Sequence, residues 1–139
     1  MTTHRSTDGW HDVPPFQNHL GIKTIEAADG RSLLRLSFKP ELGNRKGDVH
    51  GGLLATLVDL AMSQAIRSLK PELAGMSTIN MTVNYLDVAS GSLTARGRAL
   101  KVGRTIGVGE ATIETDDGRI VVQATGAFRM IRPKTVRGD

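Results

Sequence analysis

Residues 52–69 read Gly-Leu-Leu-Ala-Thr-Leu-Val-Asp-Leu-Ala-Met-Ser-Gln-Ala-Ile-Arg-Ser-Leu, and nothing in this stretch alternates with a period of two. Its length and residue types predict a helix. Lys70-Pro71 ends it, since the residue before proline avoids the helical region. From Leu53 to Met62 the segment is apolar on nearly every side. A helix of that kind must be buried in the middle of something.

Its surroundings read as strands. Asp29-Gly30 separates two apolar-patterned runs, 20–27 and 32–39, and Asp117-Gly118 separates 105–115 from 119–131. Both dipeptides favour a type I′ hairpin turn. Ser90-Gly91 and Gly103-Arg104 break the remaining runs, 77–88 and 92–102. In the first of these Ile79, Met81, Val83 and Tyr85 alternate with Thr78, Asn80, Thr82 and Asn84, which predicts one apolar and one polar face. The last run carries apolar residues on both parities and is expected to be covered on much of both faces. The order is two strands, one buried helix, four strands. The simplest solution is an α+β fold, a curved antiparallel sheet wrapped around the helix.

Composition limits the partners. The chain has 139 residues, 39% hydrophobic and 23% charged, which suits a single soluble domain. It has no cysteine, so disulfides and thiolate metal sites are excluded, in keeping with a reducing cytoplasm. No apolar run reaches the roughly 18 residues of a membrane span. The net charge is +4, yet Lys and Arg are spread singly, and no aromatic-basic signature for nucleic acid is present. Residues 1–17 are polar, lack the apolar stretch of a signal peptide, and read as a partly disordered or docking arm. The domain is expected over 18–133, with a short tail over 134–139.

Asp59 is the anomaly. It lies inside the most apolar helix, and the positions three and four residues away hold Ala55, Thr56, Met62 and Ser63, none of them a cation. An ionised carboxylate there costs several kcal/mol unless something pairs or solvates it. It either reaches solvent at a groove, meets a basic residue from elsewhere, or does chemistry. Ahead of the helix runs Asn44-Arg-Lys-Gly47-Asp48-Val-His50-Gly51-Gly52. Unpaired N–H groups at a helix start, aided by the macrodipole, suit a developing negative charge. Gly51 and Asp59 are eight residues apart, about 12 Å along a helix, too far to share one reacting atom within one chain. A site completed by a second subunit follows. His50 has no partner at metal-ligand spacing and is read as shaping the loop. Lys101-Val-Gly103-Arg104-Thr105 could hold phosphates, or could simply be a hairpin with surface charges.

At these residues the sequence resembles the hotdog-fold acyl-CoA thioesterases, especially the phenylacetate-pathway (PaaI-like) subgroup. The matching string is Asn44-x-x-Gly47-x-x-His50-Gly51-Gly52-x-x-x-x-x-x-Asp59, supported by 77–86 and 102–108. The resemblance covers about 18–131. An Asp at 59, where another subgroup has Glu, favours the PaaI-like subgroup. The resemblance implies a hotdog fold and hydrolysis of an aryl-acyl-CoA (phenylacetyl-CoA-like) or medium-chain acyl-CoA. The alternative is a non-catalytic acyl-CoA-binding or sensing module. It implies that Gly51 N–H and Asn44 polarise the thioester carbonyl, and that Asp59 of the neighbouring subunit orients or deprotonates water. A hydroxyl positioning that water falls at Thr78 by strand parity from Tyr85; counting from Asp59 leaves Ser77 open. His50, Gly52, Asn80, Tyr85, Lys101, Gly103, Arg104 and Thr105 would contact the substrate, with Lys101 and Arg104 near CoA phosphates. The resemblance implies no metal or cofactor, since CoA is part of the substrate. It also implies a cytoplasmic homo-oligomer, a dimer or a dimer of dimers (a homotetramer), with no nucleic-acid or membrane partner.

Overall fold

The computed structural model describes residues 13–134. Helix α1 (Pro15–Leu20) leads into β1 (Ile22–Ala28) and β2 (Arg31–Leu36). A 3-10 turn (Pro40–Leu42) and a loop precede helix α2 (Gly51–Ser68). Strands β3 (Gly75–Tyr85), β4 (Leu93–Val102), β5 (Ile106–Thr115) and β6 (Ile120–Ile131) complete the chain. The six strands form one antiparallel sheet in the order β1-β2-β4-β5-β6-β3, so β1 and β3 are its edges. This is the hotdog arrangement, a curved sheet around a long helix. The last residues of the segment expected as an arm belong to α1; residues 1–12, and 135–139 of the expected tail, lie outside the described residues.

The sheet grips α2 through a row of small residues. Ser32, Gly97, Ala111 and Ala124 lie side by side across β2, β4, β5 and β6. Against them the helix presents Ala61, Met62 and Ala65, all fully buried. Ser32 donates a hydrogen bond to the Ala61 carbonyl at 2.6 Å. Larger residues, among them Leu34, Leu57, Ile113 and Phe128, fill the flanks. The helix is therefore buried on a broad face rather than all round. Ala55, Thr56, Asp59, Leu60, Ser63, Gln64 and Arg67 form a half-buried stripe that the sheet does not cover.

Three local expectations are corrected. Asp29 and Gly30 both adopt positive φ, 54° and 77°, as a type I′ turn requires. At the other dipeptide only Gly118 does, and Thr115 and Arg119 close a three-residue turn through Thr115 N–H to Arg119 O. In β6 the parity of Val122, Ala124, Phe128 and Met130 is buried, but of the other parity only Val121 is. The largest correction concerns β3. Its register jumps at Ile79, since Thr78 pairs with Phe128 and Asn80 with Ala127. That bulge inserts one residue and shifts the parity. Cross-strand partners share a face, so Thr78 joins Met81 and Val83 on the side of the buried Phe128, Gly126 and Ala124. Ile79, expected on the apolar face, is 50% exposed.

Candidate active site

Asp59 and Thr78 meet across the helix and the edge strand. The Thr78 hydroxyl donates to Asp59 Oδ1 at 2.7 Å. The bulge makes this contact, because an unbroken alternation would turn Thr78 to the opposite face from Met81. Among the described residues no Lys, Arg or His forms an ion pair with Asp59. Burial pushes its carboxyl above the ordinary carboxylate range, and the Thr78 hydrogen bond only partly offsets this. Such a carboxylate accepts a proton more readily than a solvated one while keeping an open side.

The raised affinity for a proton gives two opposite trends with pH. Below the unfolded value of about 3.9, Asp59 is protonated in both states and carries no penalty. As pH rises through its raised folded value, ionisation costs the folded state stability. Asp59→Asn is therefore expected to raise Tm at neutral pH, a gain that vanishes on acidification. Any reaction using Asp59 as a base should gain rate over the same rise. Paired melting curves and pH–rate profiles check both signs.

The start of α2 is built around His50. Its Nδ1 accepts the Gly52 N–H at 2.9 Å, capping the helix and leaving Nε2 to carry the ring proton. This agrees with a loop-shaping role. Tyr85 packs its ring against Gly51 and donates its hydroxyl to Gly51 O at 3.1 Å. Among the described residues nothing accepts the Gly51 N–H, as expected at a first helical position. Asn44 uses Oδ1 to accept the N–H groups of Lys46 (2.9 Å) and Asp48 (3.1 Å), fixing the loop and leaving its amide N–H groups as donors.

One chain does not unite all the residues expected at the site. Gly51, Gly52, His50, Asn44 and Tyr85 gather at the start of α2, and Asp59 with Thr78 lies two turns further on. Asn80 pairs with Ala127, on the face away from Thr78. The turn carrying Lys101, Gly103, Arg104 and Thr105 lies beyond the other end of α2, where Gly107 packs on Ile66. Lys101 and Arg104 are exposed, and neither forms an ion pair among the described residues. Other cations are paired: Arg35 with Asp116, Arg96 with Glu114, Arg98 with Glu110 and Arg119 with Asp87. A polar cluster that the sequence did not signal, Gln17, Thr24 and Gln64, sits beside the α2 stripe. None of the three stands out in a local pattern.

Comparison with known proteins identifies the family. Residues 46–122, over half the chain and spanning α2 with Asp59, match the family model described as the thioesterase superfamily. A putative esterase from Halobacterium salinarum is 38% identical over 124 residues, covering 81% of this chain and 82% of its own. Human acyl-coenzyme A thioesterase 13 is 31% identical over 94 residues, 66% of each chain. Among solved structures, a conserved protein of Pseudomonas aeruginosa superposes with a TM-score of 0.80 at 27% identity, covering 86% of this chain and 95% of its own. The E. coli PaaI protein of the phenylacetic acid degradation operon shares the fold, with a TM-score of 0.80 at 23% identity over 87% of both chains. A buried helix carrying an acid that forms no ion pair among the described residues, a donor-rich helix start, and these matches together place the chain in the thioesterase superfamily.

Proposed function

We propose that the protein hydrolyses an acyl-CoA thioester at a site shared between two subunits. The Asp59–Thr78 pair carries this reading, because a half-buried carboxylate held by a hydroxyl and unpaired with any described cation suits a base. Water held by Asp59 and Thr78 attacks the thioester carbonyl carbon while Asp59 takes its proton. Gly51 N–H and the Asn44 amide of the other subunit hold the resulting oxyanion. Collapse breaks the C–S bond, and the proton on Asp59 passes to the departing CoA thiolate. Lys101 and Arg104 supply charge for CoA phosphates, and no cofactor enters. The acyl group is aryl, of the phenylacetyl type, or medium-chain, and the reaction belongs in the cytoplasm.

The edge strand β3 supports sharing. It exposes a full row of backbone N–H and C=O groups on its unpaired side, together with Ile79 and Tyr85. Antiparallel pairing with the β3 of a second copy would satisfy these groups and bring the Thr78 side of one subunit toward the helix start of the other. Pairs of such dimers would give a homotetramer.

Complementation tests the reading. Asp59→Asn and Asn44→Ala each disable both sites of a homodimer. Co-expressed, they form mixed dimers with one intact site. With random pairing half the dimers are mixed, so thiol release from acyl-CoA should recover to about a quarter of wild type. A mixture no more active than the separate variants would place both residues in one subunit's site and sink the shared arrangement.

A further inference from the structure

Helix α1 is the common wall of two cavities, one reaching Thr56 of α2 and the other reaching Leu60 and Ser63. The smaller, about 220 Å³, reaches the helix start and is bounded by Phe16, Leu20, His50 and Thr56. The larger, about 350 Å³, lies under Val13, Pro14 and Gln17 and is floored by Leu60 and Ser63. Leu60 follows Asp59 directly, and Ser63, four residues on, shares its helix face. An acyl group whose carbonyl carbon sits at the Asp59 water therefore has this cavity one helical turn away.

What holds the wall in place is a polar ring. A helix of six residues has no stability of its own. In α1 the single buried residue is Gln17, which is 1% exposed. Gln17 Nε2 donates to Thr24 Oγ1 (2.9 Å), which donates to Gln64 Oε1 (2.7 Å), and Gln64 Nε2 donates back to Gln17 Oε1 (3.0 Å). A further bond runs from Gln17 Nε2 to Ile22 O at 3.1 Å. Apolar contact alone would let a short helix slide. A closed ring of directional bonds fixes its height above α2.

The same ring sets the chemistry of the cavity. Its wall side chains at 17, 24 and 64 already satisfy one another. The hydroxyls of Ser63 and Ser68 donate to Leu60 O and Ala65 O. What remains to meet a ligand is the apolar surface of Val13, Pro14, Ala27 and Leu60, beside the Arg67 side chain that also lines the cavity. The volume falls at the low end of the ~300–1,000 Å³ typical of small-molecule pockets.

We propose that the larger cavity receives the acyl group, that it selects a compact acyl, and that Gln17 is the positioning residue that sets the size limit by fixing α1. The inference rests on the thioesterase reading above, and the experiment separates the two. Binding of non-hydrolysable S-alkyl-CoA thioethers of increasing length is measured by calorimetry, beside hydrolysis of the matching thioesters. Gln17→Ala frees the wall. It should raise KM for compact acyl groups about tenfold with kcat kept within about threefold, and should erase discrimination against long chains. Ala27→Leu fills the cavity from an exposed strand position and leaves the ring intact, so it remains informative if Gln17→Ala folds poorly. It should shift preference to shorter chains in binding and turnover alike. Uniform effects across the length series in both variants overturn the inference even if hydrolysis is robust. A reordered binding series without hydrolysis leaves the inference standing and removes the catalytic reading. Absence of both binding and hydrolysis in the wild type overturns both.

Discussion

Asp59→Asn is expected to lower kcat for thiol release from the best acyl-CoA by about 10²–10⁴-fold, the usual contribution of a positioned base. The substitution is isosteric, and the amide oxygen can still accept the Thr78 hydroxyl now 2.7 Å from Oδ1. It removes proton affinity and little else. Burial already disfavours the charge, so the variant should fold and assemble at least as well as the wild type at neutral pH. The measurement is steady-state thiol release over a panel of phenylacetyl-, hydroxyphenylacetyl-, benzoyl- and fatty acyl-CoAs, with size-exclusion traces of both proteins. A collapse in kcat with matching assembly supports the base. Turnover that survives would mean Asp59 merely occupies a groove. Binding that persists without wild-type turnover would leave a sensing module instead.

Gly97→Ala is expected to be among the most damaging single-methyl additions in the chain. A Cβ at this position would stand 2.1 Å from the Ala61 carbonyl oxygen and 2.6 Å from its carbon. Both belong to the backbone of α2, so no side-chain rotation relieves the clash. The Ser32 hydroxyl, at 2.5 Å, would also have to leave the carbonyl it donates to. Either the helix lifts off the sheet or β4 bends outward. Overpacking normally costs 1–3 kcal/mol, and contact with fixed backbone belongs at or above the top of that range, roughly 3 kcal/mol. For a domain of this size that corresponds to a loss in Tm of roughly 10 °C. Chemical or thermal denaturation reads it. A change under about 1 kcal/mol would mean that the helix does not approach the sheet so closely. Lifting α2 also moves Asp59 away from Thr78, so residual activity should fall further than the folded fraction.

The elements themselves were legible in the sequence. Alternation in 77–88 and turn chemistry at Asp29-Gly30 depend on a few neighbouring residues, and, although the alternation breaks at Ile79, the strand and the turn both form. So does the apolar run of α2, which has no stable placement except under a sheet. Asp59 was visible for the same reason, as a charge where hydrocarbon was expected. Tertiary structure decided the rest. The Ile79 bulge belongs to pairing with β6, and it alone turns Thr78 toward Asp59. The close approach at Gly97 depends on three strands and a helix converging on one point, which no local pattern encodes. Gln17 gives no signal along the chain, because its partners stand 7 and 47 residues away. Short-range rules fix which segments become strands and helices. Side-chain direction at a bulge, helix–sheet distance and long-range polar rings are set only when distant segments meet, and the candidate site is built from those three.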